Sequence, residues 1–148
     1  MPSPTRVDPF LAGNFQVTID GVGTIAFSEV QGLEVEIEIV NYRNGSDKEN
    51  SERKLPGLRK YSNITLKRGY VPDASLWNWF KSVLTGTLER TTVSITLLDA
   101  ADNPAWTWVL TDAWPCRYTG PTLVANSSEV AIETIEIVHE GLEVNLQA

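Results

Sequence analysis

Leu33, Val35, Ile37 and Ile39 alternate strictly with Glu34, Glu36 and Glu38. A period of two places every aliphatic on one face of an extended strand and every carboxylate on the other, which a helix cannot do. The same period recurs along the chain. Phe15, Val17 and Ile19 alternate with Gln16 and Thr18 ahead of the turn chemistry of Asp20-Gly21. A second strand is expected over residues 24–30, ended by Gln31-Gly32, and another over 63–68, where Ile64 and Leu66 alternate with Thr65 and Lys67. Val93, Ile95 and Leu97 share one side of residues 91–98, and Trp106, Trp108 and Leu110 share a face beyond a turn at 100–104. Residues 142–146 alternate once more. Such patterning predicts a single, mainly antiparallel β domain of about seven or eight strands.

Three stretches depart from it. Pro72-Asp73 supplies a stop and an N-cap, Leu76, Trp77, Phe80, Val83 and Leu84 follow at helical spacing, and Gly86 fits the C-terminal cap. This predicts one amphipathic helix covering the sheets. Residues 41–60 are polar and aperiodic until Leu55, and read as a long loop. In residues 129–139, Val130 and Ile132 keep one phase and Ile135 and Ile137 the other. Either a bulge near Glu133-Thr134 shifts the register, or both faces are partly buried.

Composition removes whole classes of chemistry. Cys116 is the only cysteine and His139 the only histidine, so no internal disulfide and no cysteine zinc site is expected. No cofactor or metal is expected either. Cys116 reads as a packed thiol and His139 as structural, while Glu34, Glu36 and Glu38 read as a solvated strand face rather than a catalytic pair. Trp77, Trp106 and Trp108 fit core positions, whereas Trp79 and Trp114 have no obvious place. No stretch approaches a membrane span, and the N-terminal residues lack the apolar core of a secretory signal, so synthesis in the cytoplasm is expected.

The net charge of −7 argues against general nucleic-acid binding, but its layout is uneven. Arg53, Lys54, Arg59, Lys60, Lys67 and Arg68 fall in a window, 53–68, that contains no acid. The remainder holds six basic residues against nineteen acidic ones, a formal −13. A basic segment on an acidic body attracts copies of itself head to tail. Leu55, Pro56, Leu58 and Tyr61 lie among these charges, which suits a protein–protein contact better than a nucleic-acid patch.

The run from Arg53 to Gly69, RKLPGLRKYSNITLKRG, resembles the signature of myovirus-type tail tube proteins, including the inner-tube subunits of extracellular contractile injection systems. Residues 26–33, AFSEVQGL, resemble that family's early strand pair, and 129–142, ending HEGL, its closing strand. Trp114-Pro115 and Tyr118-Thr119-Gly120-Pro121 fall between them in the expected order. Asn44-Gly45-Ser46 stands where the family has an acidic, Gly-rich turn, and Cys116 where an aliphatic is usual. The resemblance implies a β-barrel or sandwich with one flanking α-helix, related to the haemolysin-coregulated protein. It implies hexameric rings whose sheets join edge to edge, stacked into a tube inside a sheath, with baseplate or spike and terminator proteins at the ends and cargo in the lumen. No enzymatic activity, specific nucleic-acid binding or membrane insertion is implied. On this reading the segment 43–61 reaches the next ring through Arg43, Arg53, Lys54, Leu55, Leu58, Arg59, Lys60 and Tyr61, while Glu34, Glu36 and Glu38 face the lumen. The rival expectation is a small β-sandwich module that binds a carbohydrate or protein ligand through its tryptophans.

Overall fold

The computed structural model describes residues 6–46 and 51–147. Among these residues the strands are β1 (Phe15–Ile19), β2 (Gly23–Ile25), β3 (Glu29–Gln31), β4 (Val35–Tyr42), β5 (Arg53–Tyr61) and β6 (Ile64–Gly69). One helix, α1 (Ser75–Leu84), precedes β7 (Thr91–Leu98), β8 (Pro104–Thr119), β9 (Ile132–Val138) and β10 (Gly141–Leu146). All strand pairs are antiparallel.

The strand β8 organises the body. Its first half pairs with β7 on one side and β10 on the other, and its residues 114–119 pair with β9. Two sheets therefore share β8: β2-β1-β7-β8-β10 and β8-β9-β6-β3. The chain turns between them at Asp112, which takes a φ of 51°. Val17, Ile19, Val93, Ile95 and Leu110 of the first sheet form one core with Ile64, Leu66, Ile135 and Ile137 of the second. The alternation in the sequence is the cause, since each strand turns one set of aliphatics inward.

Leu76 of α1 is fully buried in this core, and Trp79 packs against it. The N-cap position falls on Ala74, which makes no side-chain cap bond, rather than on Asp73 as expected; the Asp73 carboxylate, one residue earlier, accepts from the Ser75 amide (3.1 Å). At the other end Gly86 takes a φ of 81°, and the amides of Gly86 and Thr87 donate back to the carbonyls of Val83 and Ser82. This is the Schellman closure that glycine permits. Trp77 is exposed and meets Tyr118 edge-on (ring centroids 5.2 Å apart). Helical spacing explains the exchange of roles: positions 76, 79, 80 and 83 share a face, and 77 lies beside it.

Several expectations need correction. Residues 53–61 are not loop but strand β5, paired along β4; residues 47–50 of the expected loop lie outside the described residues. The period was hidden because Pro56 and Gly57 interrupt it and an extra residue bulges opposite Glu38, between the Ile37 and Ile39 pairs. The expected strand at 24–30 is two strands, with Ala26, Phe27 and Ser28 carrying the chain from one sheet to the other. Pro115 lies inside β8, next to a register shift that spares the ladder its missing donor. In β9 the register against β6 is unbroken, so of the two alternatives there is no bulge at Glu133-Thr134 and both faces are partly buried. The buried phase is Glu133, Ile135, Ile137 and His139, and Val130 lies before the strand. A carboxylate occupies a core position there because Arg68 lies opposite it.

Candidate assembly surface

The first part of the run that carried the resemblance, β5, stands apart from the body, while its second part, β6, lies within it. β4 and β5 form a two-stranded ribbon that pairs with no other strand among the described residues. Isolated ribbons gain little from their own hydrogen bonds, and this one has no sheet behind it. Val35, Ile37 and Ile39 remain 50%, 53% and 62% exposed. Val40, Tyr42, Leu55 and Leu58 are exposed as well. An alternating strand with both faces in water has a pattern its own chain does not explain.

The base of the ribbon is fixed. The Ser62 amide donates to the Glu34 carbonyl (3.3 Å), and the Ser62 hydroxyl to the Glu34 carboxylate (3.3 Å). His139, buried at the break between β9 and β10, sets Nε2 3.1 Å from the Ser62 carbonyl and Nδ1 3.0 Å from that of Gly141. Its ring also lies 5.4 Å from that of Tyr61. His139 is thus a structural residue that ties the ribbon's root to the start of β10.

Register distributes the named residues over two faces. Val35, Ile37 and Ile39 lie opposite Tyr61, Arg59 and Pro56, with Asn41 opposite Lys54. On the other face Glu36 lies opposite Lys60, Val40 opposite Leu55 and Tyr42 opposite Arg53. The basic residues are therefore split, Arg59 and Lys54 on the aliphatic face and Lys60 and Arg53 on the acidic one. Lys60 stands directly across from Glu36 of its own chain, so the acidic face is partly balanced from within. Arg43 is exposed just beyond β4, and Glu34 just before it. All eleven residues named from the sequence thus lie on or beside one ribbon.

The rest of the basic window serves the fold. Lys67 pairs with Glu29 (3.2 Å). Arg68 is buried, donates through Nε to the equally buried Glu133, and reaches Asp73 at 3.2 Å. Glu133 also accepts from the Tyr118 hydroxyl (2.6 Å), which is itself 2.6 Å from that of Tyr70. Burial, then the bond to Glu133, holds the Tyr118 phenol well above its ordinary range. This network was invisible to sequence reading, although an acid in the buried phase of β9 was a usable signal.

Burial and the Glu136 carboxylate push the Cys116 thiol up, the opposite of what activates a nucleophile. Among the described residues no group of acids, histidine and cysteine is placed to hold a metal, and no helix is long and apolar enough to cross a membrane.

Comparison with known proteins agrees with the geometry. In solved structures the chain is similar to a protein of the sheath–tube complex, in its extended state, of an extracellular contractile injection system, PVC. The two are 26% identical over 94% of this chain and 93% of that one, with a TM-score of 0.85. A protein of the tube-terminating cap of the anti-feeding prophage is 24% identical over 99% and 97%, with a TM-score of 0.88, a likeness of fold. Hcp1 from Flavobacterium johnsoniae shares the fold at 16% identity over 90% and 96%, with a TM-score of 0.55. No sequence among curated proteins matches. The family model for the T4-like virus tail tube protein gp19 matches residues 11–143, and the chain belongs to that tail tube family.

Proposed function

We propose that this chain is the structural subunit of the inner tube of a contractile injection system or phage tail. The observation that carries the reading is the β4–β5 ribbon, which leaves aliphatic side chains in water on a chain of the tail tube family. Copies form hexameric rings, and the rings stack into a hollow tube. A sheath surrounds it, baseplate or spike and terminator proteins close its ends, and DNA or protein cargo passes through. Proteins similar to this one come from a sheath–tube complex, a baseplate and a sheath/tube terminator, which supports these partners. The chain acts as one domain, made in the cytoplasm and assembled into the particle.

In this reading the ribbon and Arg43 beyond it meet the next ring. Arg53, Lys54, Arg59 and Lys60 bring positive charge, and Leu55, Leu58 and Tyr61 bring apolar surface. Such a contact joins two different surfaces and does not close along the axis, which gives an open filament. Glu34, Glu36 and Glu38 line the lumen, where like charge keeps nucleic acid or acidic cargo from adhering.

The test replaces Arg59 and Lys60 with Glu. The second change sets a like charge opposite Glu36 at a cost of about 0.2–1 kcal/mol, too little to unfold the chain. Circular dichroism should stay unchanged while pelletable tubes are lost. Unimpaired tubes from the double variant overturn the assignment of these residues to stacking.

A further inference from the structure

The chain holds nine asparagines, and only Asn44 is followed by a glycine. An asparagine side chain can close on the next backbone nitrogen, because that nitrogen and the carbonyl carbon Cγ complete a five-membered ring. The Cβ of the following residue ordinarily hinders the closure, and glycine has none. Asn44 and Gly45 lie beyond Tyr42, the last residue of β4 to pair with β5, so they are outside the ladder. Gly45 is exposed, and a Cβ built on it would meet nothing within 4 Å. Water and hydroxide therefore reach this peptide.

The side chain is also polarised. The Tyr42 hydroxyl donates to Oδ1 of Asn44. A donor at that oxygen draws electron density from Cγ and stabilises the negative charge that gathers on Oδ1 as the ring closes, as in an oxyanion hole. Asp20-Gly21 is the one Asp-Gly pair, where the same ring could close, and the fold holds it shut. The Asp20 amide donates to the Thr92 carbonyl (3.1 Å), and the Thr91 hydroxyl donates to the Asp20 carbonyl (2.8 Å). The Val22 amide closes the turn onto the Ile19 carbonyl (3.0 Å). Ring closure needs the backbone between the two residues to swing, and a turn bonded on both sides resists it.

We propose that Asn44 is a self-modifying site, converted in the folded protein to aspartate and isoaspartate with help from Tyr42. The Gly45 nitrogen gives its proton to hydroxide and bonds to Cγ of Asn44. The Cγ–Nδ2 bond breaks, and Nδ2 takes up a proton and leaves as ammonia. Water then opens the cyclic imide. Opening at Cγ gives aspartate, and opening at the backbone carbonyl gives isoaspartate, whose main chain runs through Cβ and Cγ. Either product sets a carboxylate beside Arg43, on the chain end that the inner-tube reading brings to the next ring. The positive charge of that contact falls as the protein ages, and stacking weakens with it. The chemical step stands apart from the inner-tube reading, whereas its effect on stacking rests on it.

Ageing the purified protein for days at pH 8 tests it. Trypsin then releases residues 44–48 as one peptide, since Arg43 precedes it and Lys48 ends it. Mass spectrometry reads the exchange of NH2 for OH, and an isoaspartyl methyltransferase labels the isoaspartate. Conversion should accumulate at Asn44 ahead of every other asparagine, and Tyr42→Phe should slow it several-fold. An Asn44 that stays intact in the native protein while it converts in urea overturns the proposal. A Tyr42→Phe variant that ages at the parent's rate overturns the part given to Tyr42. For the effect on stacking, Asn44→Asp is compared with Asn44→Gln by pelleting of tubes, and the aspartate variant should pellet several-fold less. Equal pelleting overturns the effect on stacking and leaves the chemistry standing. If the parent and both variants form no tubes, the inner-tube reading falls and takes the stacking effect with it, while the mass result still decides the chemistry.

Discussion

Arg68 and Glu133 are 4% and 3% exposed and face each other across β6 and β9. Removing one partner of such a pair strands the other, and the Arg68→Met variant is the sharpest way to see it. The Glu133 carboxylate would keep one donor, the Tyr118 hydroxyl at 2.6 Å, in a site closed to water. Stranding a buried charge costs about 3–5 kcal/mol. The bond from Arg68 to Asp73 adds less than about 1 kcal/mol, since the Asp73 side chain is 46% exposed. A domain of this size has about 5–15 kcal/mol in all, so the variant folds but is badly weakened. At about 2–4 °C per kcal/mol the midpoint falls by about 6–20 °C. Urea unfolding of the monomer, followed by tryptophan fluorescence, reads the loss directly. The partner experiment is the double variant Arg68→Met, Glu133→Leu. It removes both charges, leaves Tyr118 bonded to Tyr70 (2.6 Å), and should recover most of the loss. A single variant within about 1 kcal/mol of the parent refutes the reasoning. So does a double variant no more stable than the single.

Three further outcomes follow from packing and burial. Leu76→Ala should cost about 2–5 kcal/mol in the same urea assay, because Leu76 is the fully buried anchor of α1 in the core. Gly32→Ala should cost more than about 1 kcal/mol and lower the yield of folded protein. Gly32 takes a φ of 98°, and a Cβ there would lie 2.1 Å from the Asn63 carbonyl oxygen. Cys116 should react slowly with iodoacetamide in the native state at pH 8 and far faster in urea, because burial and Glu136 keep its thiol protonated; equal rates contradict that placement.

The regular parts of the fold were legible because local pattern and burial agree in them. β1, β6 and β7 bury the residues their periods select, and Gly86 closes the helix as its position predicted, whereas in α1 Leu76 is buried but Trp77 and Leu84 are exposed. β5 was not legible, because its status as a strand comes from its pairing with β4, and its own period is broken by Pro56 and a bulge. Glu133 misled for a related reason. A carboxylate in a core phase reads as a slipped register until Arg68, far away in sequence, is seen beside it. Arg68 itself looked like one more member of a basic surface.

The candidate surface divides the same way. Sequence gathered one stretch of chain, and all the named residues lie on or next to one ribbon. It did not reveal that Lys60 stands over Glu36, or that the basic residues point to opposite faces, because both depend on register. That β10 pairs with β8 alone among the described residues was out of reach for a deeper reason. What its alternation serves depends on which strands remain unpaired once the whole chain has folded.

The central claim is that this chain builds a tube, and negative-stain electron microscopy of the purified protein, with light scattering over a concentration series, tests it most directly. The account predicts rings with six-fold top views that stack into hollow tubes as concentration rises. A protein that stays monomeric at every concentration, both alone and when co-produced with sheath and baseplate proteins, contradicts it.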